Sequence, residues 1–157
     1  MLHRNKVAIV TMQHEGFAGC GPRRVWDDQR VSLEHVERTR VAWVDTDAGG
    51  RIHFTAVFRY AEAAETGLAR RLGLLEGWGS YPRRRVEAEY LKVLRFEDEV
   101  EVRLRVERVG RTSITYAWEI LEDGEVCVTG GHVAVHVDEE GRAAPVPDRV
   151  RAALGGP

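Results

Sequence analysis

The sequence predicts an α+β domain in which one antiparallel sheet wraps around a single long central helix. Three observations lead there. Residues 55–72 hold a sustained helical period, with Val57, Ala61, Ala64, Leu68 and Leu72 on one stripe. From Glu99 the chain changes to strict alternation, Val100, Val102, Leu104 and Val106 against Glu101, Arg103, Arg105 and Glu107, the period of a strand with one buried face. The later apolar runs are separated by short turns, and a run of strands after one helix belongs to segregated α+β packing.

The elements follow in order. Residues 1–30 have no sustained period, and Gly16–Arg24 reads as a loop or loose N-terminal extension, with Trp26 able to pin it to a surface and Met12 an equally good start for a shorter product. The domain proper is 31–157. Val36–Val44 is a strand with Thr39, Val41 and Trp43 on its buried face and Arg38, Arg40 and Ala42 opposite; it ends at Asp45-Thr46-Asp47, where Gly49-Gly50 supplies backbone freedom for a sharp turn. Thr55 is the expected N-cap of the helix and Gly73 its C′ stop. Ala61 and Ala64 let it lie close to the sheet, and roughly 17 residues make it about 26 Å long.

Gly77, Gly79 and Pro82 break the chain before a strand at Val86–Leu94. Val109–Thr112 and Glu122-Asp123-Gly124 are turns, and Ile114, Tyr116, Trp118 and Ile120 carry the alternation between them. Val126 and Val128 are even, whereas Val133, Val135 and Val137 are odd. A β-bulge at Gly130-Gly131 is therefore expected to reset the register. A short helix starts at Pro147–Val150 and stops at Gly155. The second sheet face, with charges alternating with Thr and Tyr, must meet water or another subunit.

The 157 residues suit one domain, and 43% hydrophobic with 31% charged residues describes an ordinary globular chain. A net charge of −2 and the absence of aromatics interleaved with a basic stripe argue against a nucleic-acid partner. No apolar run is long enough to cross a membrane, and the N-terminus is too soon interrupted for a secretory signal. Cys20 and Cys127 are far apart, Cys127 alternating with valines as a small buried hydrophobe. No disulfide framework is expected, and a reducing cytoplasm is the default.

Chemistry concentrates in Val44–Phe54, where two carboxylates, a glycine turn and a histidine precede the helix start. A helix N-terminus offers unpaired N–H groups and partial positive charge, which suit a developing oxyanion and keep a nearby carboxylate ionised.

Asp45-Thr46-Asp47-Ala48-Gly49-Gly50, between a strand and a long helix, resembles the motif of hot-dog-fold acyl-CoA thioesterases of the 4-hydroxybenzoyl-CoA thioesterase and YbgC type. The Glu87–Leu94 strand, Arg95–Glu99 and Arg108–Ser113 fit as well, so the resemblance spans Val36 to Val137. It implies hydrolysis of an acyl-CoA or acyl-carrier-protein thioester. Asp47 would be the catalytic carboxylate, as nucleophile or general base, and the Phe54 backbone N–H would polarise the carbonyl. Gly50 and Ile52 would border the substrate, and Arg111, Thr112 and Ser113 would bind the CoA phosphates. It implies no metal and no cofactor beyond CoA as part of the substrate, and a homodimer or homotetramer with sites between subunits.

The match has departures. Relatives place a histidine where Phe54 stands, so His53 either assists catalysis or lines the acyl pocket. Part of the relatives' basic cluster is replaced by Val109-Gly110, and Arg111 reads either as a phosphate ligand or as a solvated hairpin residue. Arg83-Arg84-Arg85 is a second phosphate candidate or simply a solvated loop. Another branch of hot-dog thioesterases uses a helix carboxylate, which makes Glu62 and Glu65 alternatives to Asp47 or else surface and pocket-wall groups. Asp45 reads as a turn-capping carboxylate. Two other functions remain open: a hot-dog dehydratase or hydratase, for which His53-Phe54 and Glu65 would serve but the usual Pro- and Gly-rich flank is missing, and a non-catalytic acyl-thioester-binding protein.

Overall fold

The computed structural model describes residues 33–156. The expected N-terminal extension over 1–30, with Cys20 and Trp26, lies outside the described residues. Strands Glu34–Arg40 (β1), Arg83–Tyr90 (β2), Glu99–Val109 (β3), Ser113–Glu122 (β4) and Glu125–Val135 (β5) form one antiparallel sheet in the order β1-β3-β4-β5-β2. Helix Ala56–Arg71 (α1) packs on one face, and a short helix Asp148–Ala153 (α2) follows the sheet. This is the predicted hot-dog arrangement.

The helix forms where the apolar stripe demands it. Val57, Ala61, Ala64 and Leu68 are buried, and Gly67 lies so close under β1 that a Cβ there would overlap His35 and Glu37. Gly73 takes φ +68°, the left-handed stop expected after the helix. Thr55 holds the N-cap position but not by capping: its hydroxyl bonds His53 Nδ1 at 2.7 Å instead of a helix amide. At the β4–β5 hairpin Asp123 and Gly124 both have positive φ, as a two-residue hairpin turn requires.

The first strand stops sooner than alternation suggests, at Arg40. Val41 turns inward to exchange hydrogen bonds with Asp98 and Glu97, and Trp43–Asp45 forms one 3-10 turn that leaves Trp43 74% exposed. The strand expected at Val86–Leu94 runs instead over Arg83–Tyr90. Beyond Tyr90, the Leu91 and Lys92 amides both donate to the Cys127 carbonyl.

That carbonyl belongs to the bulge, which lies at Cys127 and not at Gly130-Gly131: Ile120 pairs with Val128 and Leu121 with Val126. Val128, Gly130, His132 and Ala134 then face the helix, and Val133 and Val135 line the opposite, half-buried face. Gly130 keeps the inward parity without a side chain because the Trp118 ring occupies the place of its Cβ. Tyr116 is buried under the helix, paired with His132 across the strands.

Candidate active site

The Val44–Phe54 stretch forms a small hairpin. Thr46 and Ile52 make the bridge, the Asp47 amide donates to the Arg51 carbonyl at 2.7 Å, and the His53 amide to the Asp45 carbonyl at 2.7 Å. Asp47 occupies the exposed tip. Its Oδ1 accepts from the Gly49 amide at 2.7 Å and the Arg51 amide at 3.2 Å, while no described residue bonds Oδ2. Gly50 has φ +70°, and a Cβ on Gly49 would press against Oδ1 at 3.1 Å, so the glycine pair permits this closure.

Asp45 is not a turn cap. It is buried and accepts hydrogen bonds from Tyr60, at 2.7 Å, and from Arg59, clamping the loop to the first turns of α1. Burial opposes its ionisation, but the Tyr60 hydroxyl, Arg59 and the Ala42 amide outweigh that and hold the carboxyl below its ordinary range.

Ile52 is buried and donates to the Leu94 carbonyl, tying the hairpin to the loop before β3. His53 is half-buried, bonded to Thr55 and stacked on Phe54 with ring centroids 4.7 Å apart. Phe54 is 63% exposed, its carbonyl accepts the Tyr90 hydroxyl, and its amide meets no acceptor among the described residues. A free donor thus stands in the turn two residues ahead of α1. No hydrogen bond joins Asp47 to His53 or Phe54 among the described residues.

Arg111, Thr112 and Ser113 stand elsewhere. The Asp47 hairpin adjoins the Glu99 end of β3, and the Arg111 turn follows its Val109 end, at the other end of this 11-residue strand, about 33 Å off at 3.3 Å per residue step. There the Arg111 and Thr112 carbonyls accept from Val146 and His136. Within one chain the two halves of the expected site do not meet.

A second polar centre escaped sequence reading. Glu65 is 1% exposed; its Oε2 accepts from Arg83 at 2.6 Å and His132 at 2.7 Å. Its Oε1 and the buried Tyr116 and Tyr81 hydroxyls have no partner among the described residues. Tyr116 stacks on His132 at 4.8 Å, and burial, then the Glu65 charge, push its phenol well up. Glu65 is therefore interior, and its histidine is His132, not the His53 that a dehydratase-like pairing would use. Arg83 points inward, whereas Arg85 pairs with Glu87. A cavity of about 130 Å³ opens beside this centre, walled by Phe58, Arg59, Ala61, Glu62, Arg83, Val86 and His132. His132 was legible only through parity, once the bulge is placed at Cys127.

No group of three or more metal-ligating side chains occurs among the described residues, nor any helix long and apolar enough to cross a membrane.

Fold and hairpin together define a thioesterase-type architecture. Residues 41–154 match the family model of the thioesterase-like superfamily. A putative esterase of Aquifex aeolicus is 26% identical over 132 residues, covering 78% of this chain and 98% of that one. Among solved structures, a predicted thioesterase from Bacillus stearothermophilus is 27% identical with a TM-score of 0.71, over 78% of this chain and 95% of its own. A thioesterase from Thermus thermophilus, complexed with coenzyme A and Zn, is 30% identical with a TM-score of 0.68, over 78% and 96%. The chain belongs to the thioesterase-like superfamily, and thioester hydrolysis is the class of chemistry that this membership assigns.

Proposed function

We propose that the chain hydrolyses an acyl-CoA or acyl-carrier-protein thioester to free acid and thiol, with Asp47 as nucleophile or general base and the Phe54 amide polarising the carbonyl. One observation carries the reading. The Asp47 carboxylate is fixed through one oxygen by two backbone amides and leaves the other free, on a hairpin that leads into an unpaired amide just ahead of α1. Fixed placement of the reacting groups is what lowers such a barrier. The Thermus thermophilus neighbour with bound coenzyme A supports a CoA ester as substrate. His53, stacked on Phe54, serves as pocket wall, and Gly50 and Ile52 shape the rim.

The site is completed by a second copy. β2 is an edge strand with Val86, Tyr90 and, just beyond it, Leu91 and Val93 exposed, an edge that other soluble chains cover or blunt. A two-fold pairing across β2 reverses the sheet direction and carries the Arg111 turn of the second copy toward the Asp47 end of the first. There Arg111, Thr112 and Ser113 would meet the CoA phosphates. A dimer of dimers would use the same contact.

The test is Asp47→Asn against a panel of acyl-CoAs, read as thiol release, with light scattering on the same sample. The rate should fall at least about a hundredfold in a particle of two or four chains. A folded Asp47→Asn protein with full activity would remove Asp47 from the chemistry, a fully active monomer would remove the shared site, and tight ester binding without turnover in the wild type would favour a binding protein.

A further inference from the structure

We infer that the cavity between α1 and β2 is the receptor for the far end of the acyl chain, built to take a neutral hydrogen-bonding group there, a hydroxyl above all. This deepens the thioesterase reading and rests on it for the position of the thioester.

The position follows from two independent measures. Ala61 and Glu62 come seven and eight residues after Phe54 along the helix, about 11–12 Å at 1.5 Å per residue. On the strand side, Tyr90 bonds Phe54 and Val86 lies four residues earlier, about 13 Å at 3.3 Å per residue. With the carbonyl at the Phe54 amide and about 3 Å kept for a hydrogen bond at each end, roughly four to six bonds of extended chain fill the gap, at about 1.2 Å per bond. The volume of about 130 Å³ is close to that of an engineered cavity of about 150 Å³ that holds benzene. A medium chain or an aryl group therefore fits.

The chemistry comes from the row that Val86, His132 and Tyr116 form across β2, β5 and β4. His132 directs Nε2 at Glu65 Oε2 and keeps Nδ1 for another partner, and a hydroxyl, which both donates and accepts, can meet that nitrogen in either role. No described residue bonds Nδ1. Behind it the Tyr116 hydroxyl and Glu65 Oε1 also keep unused capacity. Phe58, Ala61 and Val86 supply apolar walls for the chain. An apolar terminus would leave the polar atoms unpaired, and sites of that kind discriminate strongly for a hydroxyl. The charges at the cavity are already matched, Arg59 with Asp45 and Arg83 with Glu65 and Glu62, so neither a carboxylate nor a cationic terminus finds a free counter-charge and the group is neutral.

The experiment compares octanoyl-CoA with its 8-hydroxy and 8-carboxy counterparts, and hexanoyl-CoA with 6-hydroxyhexanoyl-CoA. Thiol release is read with the wild type, and affinity by titration calorimetry with Asp47→Asn. Expected is at least a tenfold preference for one hydroxyl-terminated ester over its plain homologue in both kcat/KM and Kd, with the carboxy ester the weakest. Tyr116→Phe removes only a hydroxyl without a protein partner, so it should fold normally and reduce the preference at least threefold; His132→Phe should abolish it. Equal affinity for plain and hydroxylated esters, a preference under tenfold, a preference for the carboxy ester, or a preference untouched by Tyr116→Phe overturns the inference. Absence of hydrolysis with the hydroxyl preference intact in Kd overturns the thioesterase reading instead; absence of binding overturns both.

Discussion

Tyr60 donates a 2.7 Å hydrogen bond to Asp45, and that bond joins the inner face of α1 to the hairpin that carries Asp47. The partner of a buried carboxylate does more than add one bond, because its loss leaves an acceptor without solvent. Asp45 thus sets where the hairpin sits, while Asp47 two residues later stays free of the helix.

Tyr60→Phe should cost about 1–2 kcal/mol at pH 7 in chemical denaturation. The sign with pH follows from the lowered Asp45 pKa, where Tyr60, Arg59 and Ala42 together outweigh the opposing effect of burial. A depressed folded-state value gives stability that is present above the ordinary carboxylate range near 4 and lost as pH falls through the folded value. The gap between wild type and Tyr60→Phe should therefore narrow below about pH 4.

Asp47→Asn and Asp47→Ala should separate chemistry from loop geometry. Asn keeps an oxygen for the Gly49 and Arg51 amides, so the hairpin stays and only the carboxylate is lost. Ala loses both bonds. Hydrogen exchange at Gly49 and Arg51 should rise in Ala alone, whereas turnover falls in both.

Gly130→Ala should destabilise by about 1–3 kcal/mol, the cost of overpacking, because the new Cβ would overlap the Trp118 ring. Combined with Trp118→Phe, part of that cost should return as a coupling energy in a double-mutant cycle. Additive losses would show that the ring is not what Gly130 accommodates.

Arg83→Met should cost about 3–5 kcal/mol, since it removes the guanidinium paired with the buried Glu65 carboxylate and leaves only the His132 hydrogen bond. Glu65→Gln in the same chain should recover much of the loss, as measured by urea unfolding.

Glu119 lies on the opposite sheet face, where burial raises its carboxyl more than Arg103 and Arg105 lower it. A raised folded-state value favours the protonated form, so its contribution is lost as pH rises through that value. Glu119→Gln should raise Tm at pH 7, with the advantage closing in acid.

Much of this was readable because local rules and the global fold agree. The α1 stripe, Gly73 beyond its end, the β3 alternation and the Asp123-Gly124 hairpin all arise from periods and backbone preferences that a short window contains. The motif around Asp47 was legible for the same reason, since its turn closes within five residues. Trp43 misled, because alternation on paper continues past Arg40 while Val41 and Asp45 are drawn to partners 57 and 15 residues away. The bulge misled too: glycines at a parity change suggest a bulge, and only the Trp118 ring and the Glu87 carbonyl in the two neighbouring strands explain why Gly130 is there.

By itself, then, the sequence determined the hot-dog architecture, the helix with its ends, and the carboxylate-bearing turn ahead of it. Periodicity and turn chemistry are properties of neighbours in the chain. The tertiary structure alone decided which carboxylate is clamped and which is free, that Arg83, His132 and Tyr116 gather around Glu65, and that the Arg111 turn stands at the far end of the sheet from Asp47. Those outcomes depend on strand register and on side chains many residues apart, and a one-residue bulge at Cys127 is enough to choose which of them face the helix.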